Sequence, residues 1–220
     1  MELLSRLDYQ PGVNNNRDKS YNLLSRLLPT RDGARTQAVS RRWRPLWSDA
    51  PLNLQVDTSL SFSFPKRITL ATKILSEHHG RGRCFALADF PAGDRFAEID
   101  GWLNSGKLTS LGEIKLSLSL LDSPSWRHPL PPSAFRFAST LCVAEFGHCV
   151  FPGEGEMEQS LNFPHLKRLA LCSVTIYEDA LQHLLSGCAV LETLLLKHNF
   201  GFGCLRISSP TLKTISFSNS

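Results

Sequence analysis

At 220 residues, with 42% hydrophobic and 20% charged residues, the chain has globular composition and enough length for one large domain or a small one plus a medium one. The net charge of +4 sits entirely in residues 1–50, with nine Lys/Arg against five Asp/Glu; residues 51–220 carry fifteen of each and have no general attraction for polyanions. No apolar run approaches ~18 residues, which excludes a transmembrane helix, and no membrane partner is expected. MELLSRLDYQ lacks the pattern of a secretory signal, so a nuclear or cytoplasmic location is expected.

Residues 1–21, with Pro11-Gly12 and Asn14-Asn15-Asn16, read as a flexible lead. Leu23–Leu28 (LLSRLL) is a short apolar helix stopped by Pro29. Thr30 then serves as an N-cap, with Asp32 in the first turn of the next helix. Ala34, Ala38, Val39, Trp43, Leu46 and Trp47 recur at helical spacing as one apolar stripe, which Pro45 breaks or kinks at Arg44. Residues 22–50 therefore form a small all-α segment, and Trp47, next to the following strand, is expected to be packed.

After Pro51 the pattern changes. PLNLQVD alternates Leu52, Leu54 and Val56 as a strand does. An L-x-x-L-x-L motif then recurs at Leu111-Ile114-Leu116, Leu166-Leu169-Leu171, Leu191-Leu194-Leu196 and Leu212-Ile215-Phe217, with Leu141 and Val143 expected to fill the equivalent strand. From Ile114 the steps to Leu141, Leu169, Leu194 and Ile215 are 27, 28, 25 and 21 residues, at or within the ~20–29 of leucine-rich repeats. YEDALQHLL (Tyr177–Leu185) supplies a helix with an apolar face at Leu181, Leu184 and Leu185, ended by Gly187. Residues 51–220 thus read as an α/β leucine-rich-repeat solenoid of about five units, stacked because one unit cannot bury its own apolar face. Residues 78–96 and 122–133 read as Gly- and Pro-rich loops, and 153–160 as an acidic loop. Gly201–Cys204 reads as a tight connection, lacking the Lys-Ser/Thr of a phosphate loop.

The six cysteines show no C-x-x-C spacing and are expected to be reduced and largely buried; His78-His79 near Cys84 reads as a solvated turn rather than a metal site. No catalytic constellation with a meaningful spacing is present, so neither a cofactor, a metal nor an enzyme activity is expected.

The ordered pieces resemble a known family. LLPTRDGARTQAVSRRWRPLWSDAPLNLQVD (Leu27–Asp57) is similar to the second half of a plant F-box domain. KILSEHHG, DGWL, PLPPSAFRFASTLCVAEFGHCVFP, FPHLKRLALCSVTI, LLSGCAVLETLLLK and LRISSPTLKTI resemble the repeats of plant F-box/FBD/leucine-rich-repeat proteins. The resemblance implies a substrate receptor of a Skp-cullin-F-box ubiquitin ligase, which docks to a Skp-type adaptor and through it a cullin. It catalyses nothing, and it presents its repeats to an unidentified target protein destined for degradation. Such domains open on Leu-Pro-Asp; here the corresponding place is Asn16-Arg17-Asp18, where only the Asp matches, and a ligase-independent protein-binding module is the alternative.

The resemblance places Leu27, Leu28, Pro29, Val39, Ser40, Arg42 and Trp43 in the adaptor-docking region. On the repeats, Leu169, Leu171, Leu194, Leu196, Ile215 and Phe217 are expected in the core, and the residues between them, Ala170, Leu195 and Ser216, on the concave target-binding face, with Leu195 an exposed apolar spot. A nucleic-acid partner is not expected: Val39, Trp43 and Trp47 need burial, which leaves Arg35, Arg42 and Arg44 too dispersed for a continuous basic track.

Overall fold

A computed structural model describes residues 47–91, 93–119, 128–153, 162–207 and 209–218. The flexible lead, the F-box-like helices, every adaptor-docking candidate from Leu27 to Trp43, and most of the acidic loop lie outside the described residues. Among the described residues, no helix is long and apolar enough to cross a membrane.

The strands β1 (Leu52–Val56), β2 (Gly82–Phe90), β3 (Glu113–Leu118), β5 (Val143–Gly147), β7 (Arg168–Cys172), β8 (Thr193–Lys197) and β9 (Thr214–Ser218) form one all-parallel sheet in chain order. Two short strands, β4 (His128–Pro129) and β6 (Cys149–Val150), pair separately. The helices α1 (Phe64–Glu77), α2 (Phe96–Leu103) and α3 (Glu178–Ser186) lie in the connections between neighbouring strands. Sequential parallel strands need such crossovers, and stacking each unit on the last gives the sheet its order. This is the expected α/β repeat fold; the four spaced motifs supply β3, β7, β8 and β9, the stretch around Leu141 and Val143 supplies β5, and two more strands precede them.

The register aligns the leucine positions into two inward rows. One runs Leu54, Phe85, Ile114, Ala144, Leu169, Leu194, Ile215; the other runs Val56, Leu87, Leu116, Phe146, Leu171, Leu196, Phe217. Both rows are buried through β8. Ile215 and Phe217 depart from the expected core: each is 53% exposed, on the edge strand of the described sheet. A second correction concerns β5. Leu141 stacks with Leu111, Leu166 and Leu191 at the motif's first position, and Ala144 and Phe146 are the strand's inward pair. The steps from Ile114 are then 30 residues to Ala144, and 25 each to Leu169 and Leu194.

Residues 78–96 are not a loop. Gly82–Phe90 is the nine-residue strand β2, followed by a 3-10 turn at Gly93–Arg95 and the start of α2. Pro132–Phe137 is likewise a 3-10 helix. Nor is His78 solvated: it is buried, packs edge-on to the Trp47 ring at 5.4 Å, and its Nε2–H donates to the Ala50 carbonyl at 2.7 Å. Trp47 itself is buried, as expected. Behind the sheet, Trp102 of α2 ties the helices together, its indole N–H donating to Thr72 Oγ1 of α1 at 3.0 Å and its ring meeting Phe90 at 5.6 Å. The predicted helix at Tyr177–Leu185 is α3, with Ala180, Leu181 and Leu184 buried and Gly187 at its C-cap.

The strand exits are equally regular. His148, Ser173 and His198, at one repeat position, all have φ between +51° and +57°. This left-handed residue turns the chain out of the strand, and the next side chain, at Cys149, Val174 or Asn199, points into the stack and is buried. Asn199 uses the position fully: its Oδ1 accepts the Val174 N–H at 2.9 Å and its Nδ2–H donates to the Leu171 carbonyl at 2.9 Å, both in the preceding repeat. Val150, Thr175 and Phe200 then bridge in parallel as a narrow second ladder. The connection at Gly201 is tight as expected: φ is +98°, and a Cβ there would lie 2.6 Å from the Ile176 carbonyl oxygen.

Candidate recognition surface on the sheet

Side chains alternate along a strand, so the residues between the inward leucines share the opposite face. Register arranges them in rows. The central row runs Gln55, Ala86, Lys115, Glu145, Ala170, Leu195, Ser216. On one side of it lie Asn53, Cys84, Glu113, Val143, Arg168, Thr193 and Thr214; on the other lie Ser117, Gly147, Cys172, Lys197 and Ser218. At the leading ends of the strands Arg83, Gly112, Cys142, Lys167, Glu192 and Lys213 stack through successive backbone hydrogen bonds.

The three expected target-face residues are therefore direct neighbours on adjoining strands. They are not equivalent, however. Ala170 is only 3% exposed, its single methyl covered between Glu145 and Leu195, so it forms floor rather than contact area. Leu195 is half-buried rather than fully exposed, and Ser216 is exposed.

Around this apolar centre the charges interlock. Arg83 donates to Asn53 Oδ1 and Glu113 Oε1, both at 3.1 Å. Glu145 lies between Lys115 at 3.3 Å and Arg168 at 3.5 Å. Glu192 lies between Lys213 at 2.8 Å and Lys167 at 3.8 Å. The Lys213 hydrogen bond holds the Glu192 carboxyl below the ordinary carboxylate range. These pairs are wholly or partly solvent-exposed and screened by water, so they shape the surface's charge more than its stability. Sequence reasoning passed over Arg168, Glu145, Lys197 and Lys213. Their signal was the spacing itself: Arg168, Glu145 and Lys213 fall at non-leucine positions of the repeat motif, and Lys197 directly follows the last position of one.

Among the described residues no group of three or more His, Cys, Asp or Glu side chains could hold a metal ion. His79 Nδ1 faces Ser48 Oγ at 3.1 Å and Asp49 Oδ1 at 3.3 Å rather than joining Cys84. The cysteines are free; Cys84, Cys149 and Cys188 are buried, but Cys142 and Cys204 are exposed, against the expectation of largely buried thiols. Burial pushes the Cys84 thiol up to about 11 and the Cys188 thiol up to about 12, the opposite of an activated nucleophile.

Comparison with known proteins agrees with the repeat geometry. The family described as "FBD-associated F-box protein At5g56370, LRR repeats" matches residues 99–220. Relatives from Arabidopsis thaliana include F-box/FBD/LRR-repeat protein At1g13570, 28% identical over 204 residues, with 87% of this chain and 44% of the relative aligned. F-box/LRR-repeat protein At4g14103 is 27% identical over 216 residues, covering 91% and 53%. F-box/LRR-repeat protein At3g03360 is 26% identical over 189 residues, covering 81% and 37%. The chain thus spans about half or less of the length of these relatives. No solved structure matches it. With more than half of its length matched by that repeat family, the chain belongs to the plant F-box/leucine-rich-repeat proteins.

Proposed function

We propose that this chain is the target-recognition subunit of a Skp-cullin-F-box ubiquitin ligase, acting in the nucleus or cytoplasm. The carrying observation is family membership joined to one continuous parallel sheet whose outward residues line up in register from strand to strand among the described residues. In this reading Leu27, Leu28, Pro29, Val39, Ser40, Arg42 and Trp43 dock to a Skp-type adaptor, and the face around Ala170, Leu195 and Ser216 holds the target. The chain needs no chemistry of its own: tethering raises the target's effective concentration at the ubiquitin-charged enzyme, a gain that reaches the millimolar range for short flexible tethers.

A pull-down with purified Skp-type adaptor tests the docking half. The chain is expected to be retained, Leu27→Asp with Trp43→Asp to abolish retention, and Leu195→Glu to leave it unchanged. Asn16-Arg17-Asp18 in place of a Leu-Pro-Asp opening favours a second reading, a protein-binding module that works apart from the ligase. That reading predicts no adaptor retention by the natural chain, with retention gained on Asn16→Leu and Arg17→Pro; this result would sink the first.

A further inference from the structure

The rows of the sheet face hold six cations, Arg83, Lys115, Lys167, Arg168, Lys197 and Lys213, against three carboxylates, Glu113, Glu145 and Glu192. Residues 51–220 as a whole are balanced at fifteen of each sign, so the excess belongs to this face and not to the repeats in general. It is concentrated towards β7–β9. Glu145 and Glu192 are each shared by two cations. Lys197, exposed and beside Cys172 and Ser218 in register, forms no ion pair among the described residues.

We infer that the β7–β9 end of this face binds an extended acidic protein segment. The cations there are only loosely engaged, since exposed ion pairs are weak and readily exchanged. An incoming Asp or Glu can therefore take over Arg168 or Lys213, or pair with Lys197, without leaving a buried charge behind. Leu195, set on the floor made by Ala170, offers one apolar contact in the middle of the cations, which fits a segment carrying an apolar side chain between its carboxylates. The same features disfavour a nucleic acid. Glu145 and Glu192 interrupt the cations where a phosphate backbone would run, and none of the rows carries an aromatic ring on which a base could stack. This inference rests on the reading of the strand face as the target surface, and it names the chemistry of that target.

Selection of displayed random-sequence peptides on the full chain tests it. Selected peptides are expected to be enriched in Asp and Glu over the starting library and to weaken as salt rises. They should lose about tenfold or more in affinity to the double variant Lys197→Glu, Lys213→Glu, as expected when like charges are juxtaposed. Leu195→Glu should weaken them as well, while thermal melts matching the natural chain establish that both variants fold. Peptides without acidic enrichment that still depend on Leu195 would overturn the acidic inference and leave the face as the target surface. Peptides indifferent to both variants would overturn both readings. A failure to select any peptide, or tighter binding of single-stranded RNA than of the selected peptides at equal salt, would also overturn the acidic-segment inference; neither bears on adaptor docking.

Discussion

Replacing Asn199 by Ala removes a side chain that touches no partner surface, yet it should be among the most damaging changes in the chain. Asn199 is 8% exposed, and both ends of its amide are committed to the backbone of the preceding repeat: the Val174 N–H at 2.9 Å and the Leu171 carbonyl at 2.9 Å. The Ala variant leaves the Val174 N–H without that acceptor and the Leu171 carbonyl without that donor, in a place water does not reach. Each orphaned buried group costs about 1–3 kcal/mol. The pair together therefore costs roughly 2–6 kcal/mol, against the ~5–15 kcal/mol that holds a whole domain folded. Urea unfolding followed by circular dichroism reads the difference through the midpoint, with the slope checking that the unfolding unit is unchanged. Hydrogen exchange at the Val174 amide gives a local readout and should accelerate more than exchange at Ala170. Asn162→Ala, at an exposed asparagine, is the control and should stay within about 0.5 kcal/mol. If Asn199→Ala is equally mild, the side chain does not join the repeats and the reasoning is wrong.

Three further outcomes follow from the same geometry. Leu194→Ala should cost about 2–5 kcal/mol and Ile215→Ala far less, although both hold the same motif position, because the first is fully buried and the second 53% exposed; urea midpoints of the two variants check this. Burial pulls the His78 pKa below its ordinary 6.5, helped by nearby His79 and Lys107 and opposed by the Ala50 hydrogen bond and by Asp49. The folded state thus keeps His78 neutral where the unfolded chain takes up a proton: its contribution is complete above pH 6.5 and falls as pH drops below it, and His78→Gln should flatten that part of a stability-against-pH profile. Native-state labelling with a thiol reagent should modify Cys142 and Cys204 first and Cys84, Cys149 and Cys188 only on unfolding; early labelling of Cys188 would contradict its burial and its Sγ contact with the Leu184 carbonyl at 3.1 Å.

What the sequence discloses depends on how large a side chain each position needs. β7, α3 and β8 are legible because Leu169, Leu171, Leu194 and Leu196 fill every inward place with a residue that has no other use there, and because Gly187 ends the helix where the stripe ends. β5 hides its register because a methyl suffices at Ala144, so that Leu141, one motif position earlier, imitates the strand. β2 hides altogether: Gly80 just before it, Gly82 and Asp89 at its two ends and Pro91 just after it carry turn chemistry, and small residues at Cys84, Ala86 and Ala88 dilute the alternation of Phe85 and Leu87. Gly80 is small for a different reason, since a Cβ there would collide with the Ala50 backbone. The face charges are readable only in two dimensions. Lys115 and Glu145 are thirty residues apart and meet only because β3 and β5 are adjacent and in register.

The alternation along β8 then separates folding from recognition within a few residues. Leu194 and Leu196 point inward and are fully buried, so their removal creates a cavity that the repeats on either side must close. Leu195 and Lys197 point outward, where neither a cavity nor an orphaned hydrogen bond results from substitution. Changes at 195 and 197 can therefore alter what the surface binds at small cost to stability, whereas changes at 194 and 196 act on binding only by loosening the stack. The left-handed residue His198 immediately follows, and it aims Asn199 back into the preceding repeat. Six consecutive residues thus alternate between holding the solenoid and presenting its surface, and each role can be tested without disturbing its neighbour.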